Sequence, residues 1–184
     1  MEKLNLAVEK YTDKILEAER YIWKNPETGY KEFKTSAFVK NELEKLGLNV
    51  RTNLAITGLR ADIDSGRPGP KIAIMGELDA LPVPSHPFAD PETGAAHACG
   101  HYAQLTMMLA AAKVLVPMIK ELSGSIAFIA VPAEEFQSLE YCRSLIADGK
   151  ISYCGGKPEF IKLGIFDDID MVLLIHAGHD TFTT

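Results

Sequence analysis

The residues able to do chemistry in this chain crowd into a few short segments. No Lys or Arg occurs between Lys71 and Lys113, yet Glu77, Asp79, His86, Asp90, Glu92, His97, Cys99 and His101 all fall there. Such a stretch suits a bound cation. Cys99 and His101 flank a single glycine, whose tight bend can aim both side chains at one ion. Further on, Glu134 and Glu135 are adjacent, and His176 closes an apolar run. Thiolate, imidazole and carboxylate form a ligand set suited to zinc or another first-row divalent metal. Neighbouring residues at a strand end point in different directions, so one glutamate can bind a metal while the other faces water. Glu134 is assigned as general base and Glu135 as ligand, an order the residues alone do not force. The chemistry is metal-assisted hydrolysis: the ion lowers the pKa of water and polarises a carbonyl, and the carboxylate shuttles the proton.

Plainer roles compete. Glu134 and Glu135 could be a solvated helix start, where carboxylates favour the dipole. A lone cysteine is commonly a small buried hydrophobe, the role expected of Cys142 and Cys154. Cys99, two residues from a histidine in a Pro/Gly-rich loop, is read as a ligand. His176 is preferred over His179 because it closes the strand; His97, His179 and Glu77 are weaker candidates. His86 is expected to be a loop histidine and Met107-Met108 core packing.

Positioning these groups requires a sheet. Three runs, Ile72–Met75, Ile126–Val131 and Met171–Ile175, are continuously apolar and separated by helical segments, the mark of a mostly parallel sheet covered by helices on both faces. Spacing predicts helices over residues 3–24, with Leu4, Val8, Tyr11, Ile15 and Ile22 as a buried stripe, and over 35–46, with Thr35 or Ser36 as N-cap and Gly47 as stop. Further helices are predicted at 100–116, ended or kinked by Pro117, at 138–147 and at 158–163. Segments 48–52 and 59–63 read as a hairpin. The fold class is α/β in three layers, helix, sheet and helix, with a mostly parallel mixed sheet. In open α/β sheets the ligand crevice lies beyond the carboxyl ends of the strands, so Asp79, Glu134, Glu135 and His176 should converge, with Cys99 and His101 on the same rim.

At 184 residues the chain fits one domain, 1–184, able to bury a proper core. Its net charge is −6; residues 1–50 are balanced, so the acidity belongs to the remainder. With no Lys/Arg cluster to follow a phosphate backbone, nucleic acid is not an expected partner. Three irregularly spaced cysteines imply no disulfide framework and, by default, a reducing compartment. No basic leader opens the chain and no apolar segment is read as approaching the ~20 residues of a membrane span, so the expected location is cytoplasmic, without membrane.

The motifs Gly-Glu-Leu-Asp-Ala-Leu-Pro (76–82), His-Ala-Cys-Gly-His (97–101), Val-Pro-Ala-Glu-Glu (131–135) and the strand ending at His176 occur in the order seen in the zinc-carboxypeptidase-like amidohydrolases, which this chain resembles. That family includes aminoacylases, hydrolases of indole-acetyl amino acids and p-aminobenzoyl-glutamate hydrolases. The segment 25–32 with Thr35-Ser36 is similar to its N-terminal helix pair. The resemblance implies a zinc-exopeptidase-like fold and two divalent ions, zinc or manganese, held by Cys99, His101, Glu135 and His176. It implies Glu134 as the base and Asp79 near the metals. The substrate would be a small N-acyl amino acid or peptide, cleaved at its amide bond, and a homo-oligomer is compatible with the family. Tyr102 stands where members usually carry Asp or Asn. Complete members continue into an inserted lid or dimerisation domain, then return to the catalytic domain and supply one more metal histidine; Thr184 falls where that insertion would begin. The chain therefore reads as the N-terminal part of a catalytic domain, doing little chemistry alone. The alternatives are a non-catalytic metal- or partner-binding remnant and a thiol hydrolase with Cys99 as nucleophile.

Overall fold

The computed structural model describes residues 2–176. Apolar runs and turn residues partition them into helices α1 (Glu2–Trp23), α2 (Phe33–Glu44), α3 (His101–Leu115), α4 (Leu139–Ala147) and α5 (Gly156–Lys162), with a 3₁₀ segment at Val116–Glu121. The strands are β1 (Val50–Leu54), β2 (Gly58–Asp64), β3 (Lys71–Glu77), β4 (Leu81–Pro82), β5 (Ala95–Ala96), β6 (Ser125–Val131) and β7 (Met171–Leu174). The main sheet has the order β1-β2-β6-β3-β7, and β4 pairs with β5 in a separate small ribbon. β3 runs parallel to both β6 and β7, whereas β2 joins β6 and β1 antiparallel. The sheet is therefore mixed, half parallel rather than mostly so, because the predicted hairpin docks on one side of it.

Side-chain alternation along β6 makes two cores. Ile126, Phe128 and Ala130 join residues of α1, α2 and α3 on one face. Ala127, Ile129 and Val131 join Tyr30, Phe160 of α5 and Leu145 of α4 on the other. The three-layer architecture follows directly from that period-two pattern.

Several expectations fail for physical reasons. Leu4 and Val8 of the predicted α1 stripe are exposed, because burial in that helix begins near its C-terminal half and is complete only at Ala18 and Ile22. Neither Thr35 nor Ser36 caps α2, because both lie inside that helix. Its first turn is instead closed by the Glu27 carboxylate, which accepts from the backbone N–H of Lys34 (3.1 Å) and Thr35 (2.8 Å), two of the donors every helix start leaves unpaired. β7 is not buried on both faces: as the outer strand it leaves Met171, Val172, Leu173 and Leu174 exposed. The helical run His101–Glu121 is long and apolar enough to cross a membrane by length and composition, contrary to expectation. Packing accounts for that composition, since α3 lies between α1 and the sheet and Leu105, Met108, Leu109 and Ala112 are buried.

Cys142 and Cys154 are joined in a disulfide, correcting their assignment as unpaired hydrophobes. The bridge spans a sequence separation of 12, from α4 to the turn before α5, while Cys99 stays free. The cysteine count thus gives no argument for a reducing compartment.

Candidate metal centre

The parallel register of β3 and β6 sets Glu77 opposite Val131, and β7 aligns its Leu174 with Met75. All three strands therefore end at one edge, and the loops that leave them converge there. Gly100, with φ at 102°, forms the N-cap of α3 in a conformation that L side chains rarely adopt, and it turns Cys99 and His101 toward that edge.

Asp79 organises the loop after β6. Fully buried, it accepts from the Glu134 N–H on Oδ1 (3.1 Å), and on Oδ2 from the Glu135 N–H (3.0 Å) and Gln137 Nε2 (2.9 Å). Ala133, just before, has φ at 46°, a costly conformation for a residue with a Cβ. A second buried carboxylate fixes it: Glu32 Oε1 accepts from the Ala133 N–H (2.7 Å), and Glu32 Oε2 from the Thr57 hydroxyl (2.6 Å). Burial raises the Glu32 carboxyl to about 8. Backbone bends at 133–135 are thereby clasped by Glu32 and Asp79, and Glu134 and Glu135 project from a rigid turn.

His101 sits at the centre, 1% exposed. Its Nδ1 lies 2.8 Å from the Asp79 carbonyl oxygen and 3.3 Å from Asp79 Oδ1, which leaves Nε2 directed at Glu77 Oε2 (3.0 Å) and Glu134 Oε2 (3.9 Å). Burial opposes charge on the ring, yet Asp79 and Glu77 raise His101 to about 10. Burial likewise opposes the Glu77 carboxylate, but His101 and Lys157 hold it down to about 2. Cys99 Sγ lies 3.5 Å from His176 Nε2. Burial first, and the nearby Glu135 next, push the Cys99 thiol up to about 11.

Among the described residues, two groups have ligand atoms within 4.8 Å of one another: Cys99, His101 and His176, and Glu77, His101 and Glu134. His101 Nε2 and Glu77 Oε2 are buried and face each other at 3.0 Å, with no other hydrogen-bond partner. The buried His101 imidazole beside a thiol and a second imidazole is a donor set whose chemistry fits a divalent ion. Glu135 belongs to neither group, although it adjoins Cys99.

Residues 73–183 match the model of peptidase family M20/M25/M40. The chain belongs to this family. It is 34% identical over 182 residues to thermostable carboxypeptidase 2 of Saccharolobus solfataricus, covering 97% of this chain and 42% of the relative. To IAA-amino acid hydrolase ILR1-like 5 of Arabidopsis thaliana it is 39% identical over 176 residues, covering 93% and 36%. Among solved structures it is similar to the YxeP protein of Bacillus subtilis, described as a dinuclear metal binding peptidase from the M20 family: TM-score 0.74, 25% identity, 94% of this chain and 44% of that one. The chain spans about two-fifths of the length of the relatives it matches. The amidohydrolase and carboxypeptidase resemblance read from the motifs is thus borne out.

Within this M20 chain the weaker candidates separate. Glu77 joins the centre. His97 turns away, packed between Trp23 (ring centroids 6.4 Å) and Tyr102 (5.7 Å), where burial lowers it to about 4. Tyr102 packs edge-on against Trp23 at 4.7 Å, so this departure from the family pattern serves an aromatic cluster. His179 lies outside the described residues. Three contributors were missed: Glu32, Gln137 and Lys157, the last in contact with Glu77 and 3.3 Å from Glu134 Oε1. Only Lys157 had a signal in the sequence, the preceding Gly155-Gly156 pair, since paired glycines before a helix often mark close backbone approach.

Proposed function

We propose that the chain carries the metal-binding part of an enzyme that hydrolyses the amide bond of N-acyl amino acids or small peptides. Cys99, His101, Glu135 and His176 would hold two divalent ions, zinc or manganese. Bound there, the ions supply a Lewis acid that polarises the amide carbonyl and lowers the pKa of water. Glu134 takes the proton from water on a carboxylate oxygen and returns it to the leaving amine, while Asp79 and Glu32 keep the Glu134 backbone fixed. The carrying observation is the meeting of Cys99, His101 and His176 within ligand distance beside two glutamates anchored by their own backbone N–H groups. A cavity of about 210 Å³ beside Glu135, lined by Tyr30, Lys31, Phe136, Gln137 and Tyr141, suits a small substrate. The relatives' names, a carboxypeptidase and an amino acid conjugate hydrolase, support the same substrate class. A Cys99 nucleophile is disfavoured, because it would leave the anchored Glu134 and Glu135 pair without a role.

The test combines elemental analysis of the chain with hydrolysis of N-acyl amino acids by the protein at its relatives' length. Glu134→Gln should leave metal content intact and lower kcat about 10²–10⁴-fold, the worth of a positioned proton carrier. Absence of bound metal would sink the ligand assignment, and a fully active Glu134→Gln variant would sink the base.

A further inference from the structure

We propose that Lys157 is a positioning residue of this centre: a built-in cation that fixes Glu77 and Glu134 and keeps a divalent ion out of the corner they form with His101. The inference rests on the reading of Glu134 as the base. By ligand geometry alone that corner would hold an ion, its three donor atoms lying within 4.8 Å of one another. The Lys157 ammonium contacts Glu77 Oε1 and lies 3.3 Å from Glu134 Oε1, so it meets two of the three residues. Glu77 is 1% exposed, and a buried carboxylate without a cationic partner is strongly destabilising.

Delivery of the ammonium is independently built into the backbone. The Gly156 N–H donates to the Ala133 carbonyl (3.0 Å), which seats the start of α5 on the turn that carries Glu134. A Cβ at position 156 would overlap the Pro132 carbonyl oxygen, so only glycine lets the helix approach this closely. Lys157 is the next residue and inherits that placement. Its pull on Glu134 Oε1 leaves Oε2 facing His101 Nε2 at 3.9 Å. One carboxylate oxygen is thus anchored and the other is presented for proton transfer. A fixed positive charge also disfavours a second cation at Glu77, directing divalent ions to the thiolate side.

Cobalt titration of the chain tests this, with ions per chain counted by elemental analysis and the thiolate-to-cobalt absorption band reporting on Cys99. Lys157→Met should bind one more ion per chain than the parent, with no additional thiolate band, and Lys157→Arg should keep the parent count. An unchanged count in a folded Lys157→Met chain overturns the proposal. Should Lys157→Met unfold, Glu77→Gln/Lys157→Met removes the uncompensated carboxylate; it should fold and bind the parent number of ions. Failure to recover folding would overturn the pairing. The two readings fail differently. A parent with the thiolate band but no extra ion in Lys157→Met defeats only the role of Lys157. A parent without the band, alongside an extra ion in Lys157→Met, defeats only the Cys99 site.

Discussion

Asp79→Asn is the sharpest probe of how the loop after β6 is held. Asp79 is 0% exposed, and its two oxygens accept three hydrogen bonds, from Glu134 N–H, Glu135 N–H and Gln137 Nε2, with His101 Nδ1 a further 3.3 Å from Oδ1. An amide has one acceptor oxygen. Its NH₂ group must face either the Glu135 and Gln137 donors together or the Glu134 donor alone, and the second orientation orphans only one group. One buried N–H left unpaired costs about 1–3 kcal/mol, and two bonds that change from charge-assisted to neutral lose about 1 kcal/mol each. The expected loss is therefore about 3–5 kcal/mol from a substitution that alters no volume. Urea unfolding of the chelator-treated chain measures it, with Trp23 fluorescence and circular dichroism required to coincide. A shift in midpoint worth less than about 1 kcal/mol at constant slope would show that the Asp79 bonds do not hold the turn.

Two further outcomes concern buried groups. Glu32 is raised from 4.5 to about 8, so the folded chain keeps its proton after the unfolded chain has lost it. Its contribution to stability is full below pH 4.5 and disappears as pH rises through about 8, a span on the order of 5 kcal/mol at most. Glu32→Gln, which can still accept from Ala133 and donate to Thr57, should flatten stability between pH 5 and 8; curves parallel to the parent would refute this. Reduction of Cys142–Cys154, which closes a loop of sequence separation 12, should lower stability by about 3 kcal/mol on the chain-entropy account. Melting with and without reductant checks it. Cys142→Ser should be insensitive to reductant, and a parent transition unmoved by reductant would contradict the expectation.

The parts of the fold that were legible are those written in local pattern. β3 and β6 announce themselves as apolar runs, and the rule that crevices lie at the carboxyl ends of strands brings Asp79, Glu134 and His176 to one edge from residue order alone. The same apolarity misled at Met171–Leu174, because a run of four aliphatic residues does not say whether anything packs on it. Cys142 and Cys154 could not be paired from spacing, since their approach depends on α4 ending and the chain turning back. Glu32, Gln137 and Lys157 were hidden for a related reason. Each is a single polar residue whose partner lies 23 to 101 positions away, and no periodicity encodes such a meeting.

The ion pair between Glu77 and Lys157 also has a place in time. Glu77, Asp79, His101 and Glu134 have all left the ribosome 23 residues before Lys157 does, and at common elongation rates that interval is about 1–5 s. During it Glu77 and Glu134 have been made but their lysine partner has not. The order of synthesis therefore places this ion pair after every acidic residue that it joins, and the corner can be completed only once residue 157 is made.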